Sequence, residues 1–269
     1  MNYILENETM KVEISSTGGN IEKIINKKTG NNHYWEYDKE VWPRRTSVCF
    51  PVCGLMTEET YTLDEETYEM PPHGFLREME LKAISVEPER VCLVAESDEW
   101  TKKRYPFKFL YEMIFTLKED GLCIEYQIHN KGNDDMFFST GSHYTYAVPI
   151  DKNDAYEEYV VEVGEQKEWY LKDDLFAEGA IILPKEEIVG EFVTIKGKRS
   201  GRETKVSFEG FPYCVIWSKP GIQPFVCIEP WAGLGDEPEK ADLDLRKKTA
   251  IRSLKAGAHE TFKQIVTLK

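Results

Sequence analysis

The sequence predicts an all-β fold, a large antiparallel β-sandwich with very little helix, and three observations carry that expectation. Apolar and polar residues alternate in many short segments. Gly, Asn and Asp turn signals separate those segments. No segment keeps a 3.6-residue apolar stripe for three turns. Many short strands joined by regular turns build sandwiches or barrels.

Taken in order, Lys11-Val12-Glu13-Ile14-Ser15 alternates and Gly18-Gly19 turns the chain before Ile21. Glu80 to Val86, Arg90 to Ala95 and Leu110 to Leu117 follow as further strands. Leu122, Ile124, Tyr126 and Ile128 then alternate with Cys123, Glu125, Gln127 and His129, giving one apolar and one polar face. Asn130-Lys131-Gly132-Asn133 turns into Met136-Phe137-Phe138, and Tyr159 to Val163, Thr204 to Phe208 and Tyr213 to Trp217 complete the strand set. The best helical window, Glu237 to Lys247, is mostly charged and contains Pro238, so it reads as loop. With no repeat, low-complexity tract or linker, residues 1–269 read as a single domain.

The 269 residues are 41% hydrophobic and 12% aromatic, enough for a sizeable core and too apolar for disorder. Acids number 48 against 34 basic residues, a net charge of −14, which argues against nucleic acid or an anionic membrane as partner. The first residues, MNYILENETMKVEIS, lack a basic start, an apolar core and a cleavage site, and no apolar run is long enough to span a bilayer. The expected location is the cytoplasm. Six dispersed cysteines then read as reduced thiols, and the Cys49/Cys53 spacing, without a second ligand pair, reads as buried small hydrophobes rather than zinc ligands.

Four segments break the alternating pattern. In Trp42-Pro43-Arg44-Arg45-Thr46-Ser47, two guanidinium groups precede a buried strand, where a planar fork of donors suits carboxylate, phosphate or vicinal hydroxyls. In Met70-Pro71-Pro72-His73-Gly74-Phe75-Leu76-Arg77, prolines and a glycine constrain the loop that carries His73. His143 follows Ser139-Thr140-Gly141-Ser142 and precedes Tyr144-Thr145-Tyr146, among hydroxyl groups able to hold an imidazole in one tautomer. In Phe225-Val226-Cys227-Ile228-Glu229-Pro230-Trp231, Glu229 ends an apolar strand; a glutamate there needs a partner, such as a nearby arginine, or a task. His33, His129 and His259 make no such case: His129 alternates onto a polar face, and the other two sit among polar, turn-like residues. Phosphate-loop, dinucleotide, H-E-x-x-H and G-x-S-x-G motifs are all missing from the sequence.

These four segments, in this order, resemble the aldose 1-epimerase (galactose mutarotase-like) family, and in particular its bacterial lactose-operon-associated branch. The stretch from Phe208-Glu209-Gly210-Phe211-Pro212-Tyr213 through Trp217-Ser218-Lys219-Pro220-Gly221 to Glu229-Pro230-Trp231 carries most of the likeness, supported by Pro71-Pro72-His73-Gly74-Phe75. The resemblance implies a β-supersandwich that binds one monosaccharide and uses neither cofactor nor metal. It places the family's base on Glu229 and its acid on His143. The sugar-positioning histidine and arginine fall on His73 and on Arg44, with Arg45 the neighbouring alternative, and Trp231 offers an apolar face to the sugar.

Two departures stand out. Tyr144-Thr145-Tyr146 replaces the usual Pro-x-Phe, and Gly179 stands where the family has a sugar-binding Asp, leaving Glu178, Asp173 or Asp174 as substitutes. The implied reaction interconverts the α and β anomers of an aldohexose by acid/base ring opening, one base and one acid sufficing. The chain would act as a monomer or homodimer. The alternatives are a non-catalytic sugar-binding or regulatory protein on the same scaffold, and a hexose-phosphate mutarotase in which Arg77 joins the arginines of the cleft.

Overall fold

The computed structural model describes residues 1–42, 48–119, 121–237 and 242–269. It is built mostly of antiparallel strands, as the alternation predicts. The largest sheet runs in the order Lys167–Tyr170, Tyr159–Val163, Phe192–Gly197, Glu203–Glu209, His259–Leu268, Gly121–Asn130, Phe109–Lys118, Arg90–Glu96, Lys82–Glu87. A second sheet runs Ile181–Pro184, Tyr213–Trp217, Phe225–Ala232, Thr140–Ser142, Val48–Cys49, with Tyr144–Ala147 also pairing to Phe225–Ala232. Asn2–Glu6, Met10–Ser15 and Ile21–Asn26 form a separate three-stranded sheet. Among the described residues the one α-helix is Glu99–Lys102, and the Asp98 carboxylate caps it by accepting from the backbone N–H groups of Trp100 and Thr101.

One apolar cluster extends from Leu5 to Val266. It is strongly aromatic around Phe50, whose ring lies 4.9 Å from those of both Phe109 and Tyr111 and 5.7 Å from that of Tyr105. Fully burying such a ring contributes roughly 1.5–3 kcal/mol. It also anchors the segment from Phe50 to Gly54, which walls the site described below.

Four expectations need correction. The strand read from Glu80 starts at Lys82, and the Glu237 to Lys247 window holds a 3-10 turn, Leu245–Lys247, capped by the Asp244 side chain on Arg246 N–H. Glu229 does not end its strand. Phe225–Ala232 continues past it, with Pro230 paired opposite Cys214 and every residue buried.

His33 is the fourth. It is fully buried rather than in a surface turn, with Nδ1 2.9 Å from the Thr204 hydroxyl and, among the described residues, no hydrogen bond at Nε2. Burial, and secondarily the Arg202 charge, lower its pKa to about 4 from 6.5. As pH falls below the unfolded value, the unfolded chain takes up a proton that the folded chain refuses, so stability is lost until the folded pKa is reached. The full window amounts to roughly 3 kcal/mol. Urea unfolding from about pH 6.5 to about pH 5 is therefore expected to cost the wild type about 2 kcal/mol more than His33→Gln. Equal acid sensitivity in the two proteins would contradict the assignment.

Candidate functional site

The site lies on one face of the second sheet, and strand register builds it. Tyr213, Val215 and Trp217 pair with Trp231, Glu229 and Cys227 respectively. Side chains two apart share a face, so Val215 and Trp217 are set beside Glu229 and Trp231. His143 is the single residue between two short strands that pair in succession along the same edge of the Glu229 strand, Gly141 with Trp231 before it and Tyr144 with Ile228 after it; Tyr213–Trp217 takes the other edge. That register brings together an acid and an imidazole far apart in sequence.

Gly141 permits this closeness. A Cβ there would lie 2.4 Å from Trp231 Cδ1 and 2.7 Å from the Pro230 carbonyl oxygen. With only hydrogen at that position, the indole lies against the neighbouring strand and donates its Nε1–H to the Ser142 carbonyl at 3.2 Å.

The His73 loop is fixed on both sides. His73 has φ 63°, a conformation rarely adopted by a residue bearing a Cβ, and is held there by donating its backbone N–H to Gly54 O at 2.8 Å. Gly74, at φ +74°, packs so tightly that an added Cβ would sit 2.1 Å from Phe50 O. His73 Nδ1 accepts from the Gly54 N–H at 3.2 Å and lies 3.4 Å from Cys49 Sγ, which leaves Nε2 to carry the ring proton and act as a donor. Behind this rim the buried Lys248 ammonium meets Asp236 at 2.5 Å, and Asp236 in turn accepts from Thr57 N–H and donates its own N–H to Leu55 O.

These elements enclose a cavity of about 340 Å³, at the small end for a ligand site and suited to one sugar ring. His73, Arg77, His143, Glu229, Trp217 and Trp231 are among the residues that line it. Trp42 covers His143, ring centroids 5.4 Å apart, and stacks on Phe225 at 5.5 Å. The His73 and His143 rings meet edge to face at 4.8 Å. The lining is thus apolar and aromatic, with a few convergent polar groups.

Glu229 and His143 face each other at its floor. Glu229 Oε2 lies 3.3 Å from His143 Nε2, with side chains 1% and 6% exposed. The contact is not aligned as a hydrogen bond, and among the described residues Glu229 Oε2 and His143 Nδ1 have no hydrogen-bond partner. Burial pushes the Glu229 carboxyl well above the usual carboxylate range, and burial, with electrostatic contributions from the His73 ring and the Arg77 guanidinium, pushes the His143 imidazole well below its own. Desolvation is the leading cause for both groups. Carboxylic acid with neutral imidazole, or carboxylate with imidazolium, hold the same single dissociable proton.

Of the residues singled out from sequence, His73, His143, Glu229 and Trp231 line this one cavity; Arg44 and Arg45 lie outside the described residues. Glu229 meets His143; its alternative reading, a salt bridge to Arg44 or Arg45, falls on residues outside those described. Asp173, Asp174 and Glu178 are exposed and none lines the cavity; their segment contributes only Ala180. Trp42 and Trp217 went unread. For Trp217 the signal was available, since it shares strand parity with Val215 opposite Glu229. For cations, the donor atoms of His143, Cys227 and Glu229 lie within 4.8 Å of one another among the described residues.

The family model described as Aldose 1-epimerase matches residues 1–198, a span that includes His73 and His143 and stops before Glu229. Similarity to full-length relatives continues beyond it. Protein LacX of Lactococcus lactis subsp. lactis, in its plasmid form, is 25% identical over 276 residues, covering 90% of this chain and 91% of LacX. The structure of a galactose mutarotase related enzyme from Lactobacillus acidophilus matches with a TM-score of 0.93 at 27% identity, covering 100% of this chain and 97% of that one. A galactose mutarotase-like protein from Lactobacillus casei ATCC 334 shares the fold, with a TM-score of 0.91 at 24% identity and 100% of both chains covered. Among the described residues, no helix is long and apolar enough to cross a membrane.

Proposed function

Because the chain belongs to the aldose 1-epimerase family, we propose that its cavity interconverts the α and β anomers of an aldohexose, with Glu229 as base and His143 as acid. The observation that carries this reading is the buried contact of 3.3 Å between Glu229 Oε2 and His143 Nε2 at the cavity floor. Ring opening takes a proton from the anomeric hydroxyl and delivers one to the ring oxygen. Rotation about the first carbon–carbon bond and closure on the other face complete the exchange. The pair starts and ends each half-reaction with one proton, which merely changes residue. A sugar hydroxyl donating to Glu229 stabilises the carboxylate and moves that proton onto His143, the placement needed for opening.

His73, with Nε2–H as donor, positions the sugar, and Trp42, Trp217 and Trp231 give apolar faces to its C–H groups. His73→Asn is expected to raise KM about tenfold, close to the loss of one hydrogen bond to substrate, and to lower kcat less than His143→Asn does. Steady-state mutarotation kinetics check this. An unchanged KM would remove His73 from substrate binding.

A second reading, mutarotation of a hexose phosphate, is favoured by Arg77, whose side chain is 8% exposed and lines the cavity. Free aldohexose ranks ahead, because one guanidinium also serves a neutral sugar's hydroxyls. Polarimetry on freshly dissolved anomers of glucose, galactose and their 6-phosphates tests both. Faster approach to an unchanged final rotation is expected for at least one neutral sugar. Acceleration of the phosphates alone would reverse the ranking, and none with any sugar would favour a non-catalytic sugar-binding protein.

A further inference from the structure

We propose that His143, Cys227 and Glu229 form a site for a thiophilic divalent cation, zinc or cadmium, which switches the proposed reaction off. This rests on the acid/base reading of the same pocket and adds the one residue that reading does not use. Cys227 and Glu229 are two apart on one strand and so share a face, and Thr145, two residues after His143, pairs directly with Cys227. Nitrogen, sulfur and oxygen donors from the three side chains all lie within 4.8 Å of one another, and all three residues are buried.

Metal–ligand bonds of ~2.0–2.3 Å in a tetrahedral shell put ligand atoms roughly 3.3–3.8 Å apart. The His143–Glu229 pair already meets that spacing at 3.3 Å, so only the thiol has to close in, by an amount within reach of side-chain rotation. Among the described residues, Glu229 Oε2, on a side chain 1% exposed, has no hydrogen bond to surrender. A thiolate beside an imidazole and a single carboxylate selects zinc or cadmium over magnesium or calcium, which prefer shells of oxygen. As the cation binds, the Cys227 thiol releases its proton to solvent, and a fourth position remains open toward the cavity. Bound metal occupies the Glu229 carboxylate and the His143 nitrogen together. The proton then has no group to leave from or arrive at.

The test is titration of the full chain with cadmium, read by the ultraviolet cadmium–thiolate charge-transfer band, and with zinc, read by mutarotation rate and its recovery on chelation. Cys227→Ser is the key variant, with Cys227→Ala as second choice should serine prevent folding. Cys49→Ser is the control, because that thiol also lies beside an imidazole, 3.4 Å from His73 Nδ1. The expected result is a band of one thiolate per chain in wild type and Cys49→Ser, absent without Cys227, with zinc inhibition weakened at least about tenfold and basal rate retained. No band in wild type, a band that survives loss of Cys227, or one that disappears with Cys49 would overturn the proposal. A Cys227-dependent band on a protein that accelerates no sugar would leave the metal site standing and remove the mutarotase reading instead.

Discussion

Glu229→Gln is expected to slow anomer exchange by about 10²–10⁴-fold, the usual contribution of one positioned proton-transfer group, without loss of the fold. Glutamine keeps the volume of a side chain that is 1% exposed, and it removes a carboxyl whose ionisation burial already opposes. Melting temperature should therefore hold or rise while turnover collapses, a combination that separates catalysis from stability. Wild-type turnover in this variant would mean that the proton leaves the sugar by another route.

His143→Asn is expected to lower kcat by a similar factor with a smaller change in KM, because an acid acts chiefly in the transition state. The wild-type rate should be bell-shaped in pH. Its acid limb marks a second proton entering the Glu229/His143 pair, and its alkaline limb marks loss of the only one. Replacing either partner removes the coupling, so both variants should lose the bell. Stopped polarimetry across the pH range reads this directly, and an unaltered bell in His143→Asn would exclude that histidine from the pair.

Tyr159–Val163 and Tyr213–Trp217 have the boundaries read from sequence, and the alternation itself survives in Met10–Ser15 and Phe109–Lys118, buried at every second residue. Half-buried strands announce themselves because neighbouring residues face different solvents. Phe225–Ala232 is buried on both faces, and there the local pattern could not show where the strand stops. His33 was misread for a related reason. Asn31-Asn32-His33 looks like a turn locally, and the Thr204 hydroxyl that receives the ring comes from 171 residues away.

The candidate site was legible as four separate segments, since a lone acid in an apolar strand and a histidine in a proline-bound loop are each unusual. Their assembly was not. The contact between His143 and Glu229 depends on the register of two strands around Gly141, and no local pattern encodes a register across so many residues. Trp42 is brought over His143 by packing on Trp217 and Phe225, contacts that its own neighbours in sequence do not foretell.

The most direct measurement is proton exchange spectroscopy on an equilibrated aldohexose that the wild type accelerates, following the two anomeric protons. Nothing but interconversion connects those signals, and equilibrium removes any doubt about dissolution or mixing. Wild-type protein is predicted to give exchange cross-peaks between the α and β anomeric protons, and the same concentration of Glu229→Gln is predicted to give the spectrum of buffer alone. Cross-peaks of equal intensity in both would contradict the account, because the exchange would then owe nothing to the buried carboxylate at the cavity floor.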